Sequence, residues 1–121
     1  MLYFYPKDST PGCTLEALDF SRLSEEFAAA DTVVIGISKD SVASHDRFCA
    51  KQDLKVILAS DADNNVCETY GVWAEKKNFG KTYMGINRTT FLIDEGKIAA
   101  IWPKVSVKGH AEAVLEAAKA L

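Results

Sequence analysis

Short apolar segments alternate with segments of helical periodicity along this chain, and this alternation limits the possible folds more than any other feature. The predicted strands cover residues 2–5, 32–38, 55–59, 89–94 and 97–102. The predicted helices cover residues 14–30, 41–52, 63–70 and 109–121. A helix between two strands returns the chain to the same end of a sheet, so strands joined in this way lie parallel. Because a turn joins the last two strands as an antiparallel hairpin, we expect an α/β, thioredoxin-like fold with a central mixed five-stranded sheet flanked by helices.

The first predicted helix and the segment before the last hairpin carry two further expectations. Leu15, Leu18, Leu23 and Phe27 recur among acidic residues at helical spacing, so we expect one helix over residues 14–30. Residues 72–87 combine two glycines with several polar residues and show no clear period. We therefore expect this segment to be the least regular part of the chain.

Length and charge exclude several classes of protein. The 121 residues suit one hydrophobic core, so we expect a single domain over residues 1–121. The net charge is −3 and the basic residues form no stripe, which argues against a nucleic-acid or anionic-membrane partner. No apolar run approaches the roughly 20 residues that span a bilayer. The opening residues also lack the basic flank and cleavage site of a signal peptide, so we expect a cytoplasmic protein.

Three cysteines, Cys13, Cys49 and Cys67, are the residues most open to a chemical role. An odd and sparse set does not form the disulfide framework of a small secreted domain. No Cys-x-x-Cys is present, and His45 and His110 lie far apart in sequence, so we expect no metal site. Each cysteine therefore has to be considered separately.

Cys13 lies where a loop rich in Gly and Pro leaves the first strand and enters the first helix. A helix N-terminus offers free backbone N–H groups and the positive end of the helix dipole, and both favour a thiolate nucleophile. Gly12 allows a small substrate to approach the backbone closely, and the Thr10 hydroxyl is available to the sulfur or the substrate. Position alone leaves an alternative open, because many free cysteines are inert and buried.

The surrounding motif resembles a known family. Residues 6–14, Pro-Lys-Asp-Ser-Thr-Pro-Gly-Cys-Thr, resemble the Pro-x-x-x-Thr-x-x-Cys motif of peroxiredoxins. With Tyr5 before it and Glu16 and Phe20 after it, the segment is similar to the bacterioferritin comigratory protein/PrxQ branch. The resemblance continues through residues 85–94 and covers nearly the whole chain. It implies a thiol-dependent peroxidase that reduces hydrogen peroxide and organic hydroperoxides through a sulfenic acid on Cys13.

The resemblance implies four active-site positions, Pro6, Thr10, Cys13 and Arg88. Pro6 would shield the sulfur, while Thr10 and the backbone of Gly12 and Cys13 would hold the peroxide oxygens. Arg88 would favour the thiolate and donate hydrogen bonds to the peroxide. Without the motif, the simpler interpretation of Arg88 is a surface ion pair with an acidic residue of the last hairpin.

Glu16 is a further candidate, and its role remains open between two interpretations. It lies near the start of the first helix, where a carboxylate is stabilised by the helix dipole. A plain capping role and an active-site hydrogen bond are both consistent with that position.

A second thiol can condense with the sulfenic acid to form a disulfide. Many members of the branch carry this resolving cysteine five residues after the nucleophile, where this chain has Leu18. Other members carry it in the following helix, and Cys49, 36 positions after Cys13, matches that arrangement. The resemblance therefore implies a Cys13–Cys49 disulfide, with unwinding of the helical turn around Cys13. Cys67 has no such match, and its pattern favours a buried structural residue.

Recycling and assembly follow from the same resemblance. Thioredoxin or glutaredoxin is the implied reductant, and the branch suggests a monomer. The glycines form no Gly-x-Gly-x-x-Gly, so we expect no organic cofactor. Family members usually carry a further β-hairpin and helix before the first strand, and we expect that segment to be absent here.

Three alternatives remain open. The first is a 1-Cys peroxidase resolved by an external thiol. The second, a thioredoxin-type disulfide oxidoreductase, would need a second cysteine in the first helical turn. The third is a redox-inactive thioredoxin-like binding or chaperone module.

Overall fold

The computed structural model describes residues 1–121 and contains seven strands and five helices. The strands are β1 (Leu2–Phe4), β2 (Ile35–Ser38), β3 (Ile57–Ser60), β4 (Trp73–Asn78), β5 (Lys81–Ile86), β6 (Thr89–Asp94) and β7 (Lys97–Trp102). The helices are α1 (Pro11–Arg22), α2 (Ser24–Ala29), α3 (Val42–Gln52), α4 (Val66–Thr69) and α5 (His110–Lys119). None of these helices has the length and apolar character needed to cross a membrane.

Five strands form one mixed sheet in the order β3-β2-β1-β6-β7. The three strands β1, β2 and β3 pair in parallel, as their connecting helices require. Strand β6 pairs antiparallel with both β1 and β7. The central strand β1 ends at the loop that leads to Cys13 in α1, so this loop lies at the carboxyl edge of the middle strand of the sheet. The predicted mixed five-stranded sheet is confirmed.

The prediction of an irregular segment at residues 72–87 is wrong. Strands β4 and β5 form a separate two-stranded antiparallel hairpin with a register from Trp73 opposite Ile86 to Asn78 opposite Lys81. In its turn, Phe79 and Gly80 both have positive φ. Because most of the hairpin is exposed on both faces, it shows no alternation of apolar and polar residues from which a strand could be predicted.

The core lies on both faces of the sheet, and the side chains of β1 alternate between them. Tyr3 and Tyr5 belong to the larger cluster, which includes buried residues of α1, α2 and α5. Phe4 points to the other face, into a smaller cluster with Cys67 and Ile86. The first strand is therefore buried on both sides, which fixes the position of the loop that follows it.

The prediction of one continuous helix over residues 14–30 is wrong in part. Leu15 and Leu18 are 50% and 38% exposed, whereas Cys13 and Phe20 are buried. The helix starts earlier than predicted, at Pro11, and is interrupted at Leu23, where the backbone leaves helical geometry before α2 begins. The segment therefore forms two helices, α1 and α2, in place of one. The face of α1 that points inward is the face that carries Cys13.

Candidate active site

Cys13 is the third residue of α1 and is only 2% exposed. Thr10 is the N-cap residue with extended backbone, and Pro11 occupies the first helical position, where its missing N–H costs no hydrogen bond. No side chain caps this helix N-terminus. The first helical backbone hydrogen bond runs from the Thr14 N–H to the Thr10 carbonyl, so the N–H groups of Gly12 and Cys13 remain available to a ligand.

Arg88 reaches Cys13 from the two-residue link between β5 and β6. Its Nη2 donates a hydrogen bond to Cys13 Sγ at 3.3 Å, and its Nη1 donates to Glu16 Oε1 at 2.7 Å. A Cβ on Gly12 would lie 3.2 Å from the same Nη2, so glycine leaves room for the guanidinium. The alternative of an ion pair with the last hairpin is wrong, because the partner of Arg88 is Glu16.

Glu16 lies under the guanidinium and is 1% exposed. Burial raises the pKa of its carboxyl to about 7, although the charge and hydrogen bond of Arg88 act in the opposite direction. Its second oxygen, Oε2, is buried without a hydrogen-bond partner. Glu16 does not cap α1, so of the two interpretations the structure supports the contact within the candidate site.

The loop before the helix places the other two motif residues. The Thr10 hydroxyl donates its hydrogen to the Lys7 carbonyl at 2.7 Å, so Oγ1 is left with lone pairs that accept hydrogen bonds. Pro6, which the resemblance assigns to shielding of the sulfur, begins this loop and is exposed. The structure shows no hydrogen bond between the Thr10 hydroxyl and the sulfur.

A buried polar cluster that the sequence analysis did not identify holds the same loop to α3. The Asp8 carboxylate accepts hydrogen bonds from Tyr5 Oη at 2.6 Å, Ser44 Oγ at 2.8 Å and His45 Nδ1 at 2.7 Å. The other ring nitrogen of His45 lies 3.2 Å from the Ala59 carbonyl. The His45 ring thus joins the Asp8 carboxylate to the backbone of β3. Spacing in the sequence gives no signal for contacts between segments this far apart.

The two remaining cysteines lie in different environments. Cys49 is half-buried on α3, and burial, followed by the charges of Asp8 and Asp46, raises the pKa of its thiol. Cys67 is fully buried in the smaller core cluster, and burial together with a hydrogen bond to Asp61 raises the pKa of its thiol to about 12. The structure therefore places Cys67 where a packing role is expected and leaves Cys49 accessible in part.

Known proteins resemble this chain over almost its full length. Residues 1–101 match the AhpC/TSA family. A putative peroxiredoxin Bcp of Coxiella burnetii is 57% identical over 116 residues, which cover 95% of this chain and 77% of the relative. The peroxiredoxin Bcp of Bacillus subtilis is 51% identical over 120 residues, which cover 98% of this chain and 76% of the relative.

Solved structures share the fold. The bacterioferritin comigratory protein of Xanthomonas campestris, described with an alkyl peroxide reduction activity, has a TM-score of 0.92 and 52% identity, over 98% of this chain and 76% of that one. The peroxidoxin BcpB of Mycobacterium tuberculosis has a TM-score of 0.85 and 36% identity, over 99% of this chain and 77% of that one. Together with the sheet order, these similarities confirm the predicted thioredoxin-like α/β fold.

Proposed function

The chain belongs to the AhpC/TSA family, in its Bcp/PrxQ peroxiredoxin branch, and is a thiol peroxidase; from this premise we propose that Cys13 is its peroxidatic nucleophile. The substrate is a hydroperoxide, and the electrons come from a thiol reductant. The observation that carries the assignment is the 3.3 Å contact between Arg88 Nη2 and Cys13 Sγ at the start of α1. A guanidinium and free backbone N–H groups at one sulfur both favour the thiolate, which is the reactive form.

The proposed first step is attack of the Cys13 thiolate on the terminal oxygen of a hydroperoxide ROOH. A bond forms between Sγ and this oxygen while the O–O bond breaks, so the sulfur is oxidised to a sulfenic acid and the peroxide is reduced. The leaving RO⁻ takes a proton from solvent and becomes an alcohol, or water when R is hydrogen. Arg88 and the N–H groups of Gly12 and Cys13 are positioned to stabilise the charge that develops on the leaving oxygen.

The loop residues complete the proposed peroxide site. Because the Thr10 hydroxyl already donates to the Lys7 carbonyl, its lone pairs are suited to accept a hydrogen bond from the peroxide O–H. Pro6 restricts the loop backbone and limits access of water to the sulfur. Glu16 holds Arg88 in the orientation in which one guanidinium nitrogen points at the sulfur.

For the second step we propose that Cys49 attacks the sulfenic acid, so that an S–S bond forms and water leaves. Two serine variants of the Xanthomonas campestris peroxiredoxin Q replace cysteines 36 positions apart, which is also the separation of Cys13 and Cys49. A disulfide needs two sulfurs about 2 Å apart. We therefore expect the first turn of α1 to unwind after oxidation. Deep burial of Cys67 makes it the poorer partner.

Substrate range and recycling are also proposals. The alkyl peroxide reduction described for the Xanthomonas campestris relative supports organic hydroperoxides as substrates beside hydrogen peroxide. We propose that thioredoxin or glutaredoxin reduces the disulfide by thiol–disulfide exchange. A monomeric, cytoplasmic protein suits this cycle.

Peroxide consumption with thioredoxin as reductant tests both cysteine roles. Cys13→Ser should abolish consumption. Cys49→Ser should keep the first reaction with peroxide and lose thioredoxin-dependent turnover, and the matched control Cys67→Ala should retain both. Mass mapping of the oxidised protein should find a Cys13–Cys49 peptide.

The same assay separates the alternatives. Wild-type protein without Cys13-dependent consumption would be a redox-inactive module. Undiminished turnover of Cys49→Ser with an external thiol would establish the 1-Cys mechanism.

A further inference from the structure

The side chain of Lys76 crosses the β4–β5 hairpin towards the candidate active site. Lys76 lies opposite Tyr83 in the register of the hairpin, but its ammonium donates a hydrogen bond to the carbonyl of Ile86, three residues further along β5. Ile86 is the last residue of β5, two positions before Arg88. The ammonium therefore holds the end of the strand from which Arg88 reaches Cys13.

A glycine makes this crossing possible. A Cβ on Gly85 would lie 3.1 Å from Lys76 Cδ, a contact so tight that the lysine stem would have to shift by a few tenths of an ångström. A glycine inside a strand commonly marks the close approach of another group. Lys77, the next residue, lies on the opposite face of β4 and is exposed. The two neighbouring lysines thus carry the same charge in different surroundings.

Lys76 is also within electrostatic reach of the nucleophile. Burial and the charge of Arg88 lower the pKa of the Lys76 ammonium, while the charge of Cys13 acts in the opposite direction. The ionisable groups that interact around Arg88 are Lys76, Glu16, Cys13 and His110. An ionised Glu16 offsets part of the charge of Arg88. A second cation, Lys76, therefore adds to the electrostatic stabilisation of a thiolate.

We propose that Lys76 is a positioning residue of the peroxide site, which holds the Ile86 carbonyl and thereby the link that carries Arg88, and which adds positive charge around the Cys13 thiolate. This proposal rests on the assignment of Cys13 as the peroxidatic nucleophile. In this reaction the attacking sulfur and the leaving oxygen both carry negative charge. A preorganised cation near them stabilises the transition state without reorganisation of solvent.

The matched pair Lys76→Met and Lys77→Met tests the proposal, because both variants remove one positive charge from the same strand. The measured quantity is the second-order rate constant of reduced protein with hydrogen peroxide in a single turnover. Lys76→Met should lower this constant about tenfold, which corresponds to loss of a single favourable contact in the transition state. Lys77→Met should leave it unchanged, and Lys76→Arg should recover most of the wild-type value.

Two further measurements distinguish a role in the site from a role in folding. The pH profile of Cys13 alkylation by iodoacetamide should move to higher pH in Lys76→Met and stay in place in Lys77→Met. Gly85→Ala keeps the charge but displaces the stem, so it should lower the rate constant in the same direction. Equal rate constants and profiles for Lys76→Met and Lys77→Met would overturn the proposal, while a wild-type protein without Cys13-dependent reduction would overturn the proposed function.

Discussion

Arg88 uses the planar fork of its guanidinium to contact Cys13 and Glu16 at the same time. One nitrogen donates to the sulfur and another to the carboxylate, in a geometry that a single ammonium group cannot reproduce. Arg88→Lys should therefore lower the rate constant with hydrogen peroxide by roughly tenfold to a hundredfold, because one charge-assisted hydrogen bond contributes about 1.5–3 kcal/mol. The exposed Arg22 provides the control, since Arg22→Lys should change nothing. A wild-type rate constant for Arg88→Lys would contradict the need for two guanidinium nitrogens at this site.

Glu16 gives the folded protein a pH dependence near neutrality. Its pKa is raised from the ordinary 4.5 to about 7, so folding favours the protonated carboxyl. The resulting stability is complete below about pH 4.5 and is lost as the pH rises through about 7. Between pH 5 and pH 8 the wild type should lose on the order of 2 kcal/mol relative to Glu16→Gln, measured by urea unfolding. If the unfolding free energies of the two proteins change in parallel with pH, Glu16 does not titrate in this range.

At the scale of elements, the loop between β1 and α1 is held to α3 by the buried Asp8 cluster. Asp8→Asn replaces an acceptor oxygen by an NH₂ donor among three side-chain partners, and a buried polar group left without a hydrogen bond costs about 1–3 kcal/mol. The substitution should therefore lower the free energy of unfolding by roughly 2 kcal/mol in urea. The exposed pair of Asp53 and Lys55 supplies the control, because Asp53→Asn should cost less than about 1 kcal/mol. Similar losses of unfolding free energy in both variants would show that the Asp8 cluster stabilises the protein no more than an exposed ion pair does.

The elements also show what sequence patterns could and could not predict. Strands β1, β2 and β6 are mostly buried, so short apolar runs in the sequence locate them. The β4–β5 hairpin is solvated on both faces and leaves no such signal. Leu15 and Leu18 are exposed because the buried face of α1 carries Cys13, Glu16, Ala17 and Phe20, a set that includes a carboxylate and so gives no apolar stripe in the sequence.

The residues of the candidate site also fall into those that the sequence predicts and those that it does not. Cys13 and Arg88 lie within motifs that resemble a known family, so their meeting could be expected before the structure. The bond of His45 to Asp8 and that of Lys76 to Ile86 depend on how separate segments cross in space. No periodicity in a single sequence encodes such crossings.

For the whole molecule, His110 links the last helix to the sheet and makes the fold sensitive to acid. Its Nε2 lies 2.8 Å from the Thr90 hydroxyl, and burial, followed by the charge of Arg88, lowers its pKa from 6.5 to about 4. The neutral ring is favoured by folding, so its contribution is complete above about pH 6.5 and is lost as the pH falls through about 4. His110→Gln should flatten the loss of stability between these values, as followed by thermal melts. If His110→Gln unfolds in acid as the wild type does, groups other than His110 cause the loss of stability.

The pairing of the central strand has a consequence for the order in which the protein becomes reactive. Leu2 pairs with Ile35 on one side of β1 and with Phe91 on the other. Both pairings join residues far apart in sequence, so each requires a long loop to close. Because synthesis starts at the N-terminus, Cys13 is also made 75 residues before Arg88. The nascent thiol lacks its guanidinium partner until the sheet closes, so if Cys13 is the nucleophile as proposed, its activation by Arg88 comes only with the completed sheet.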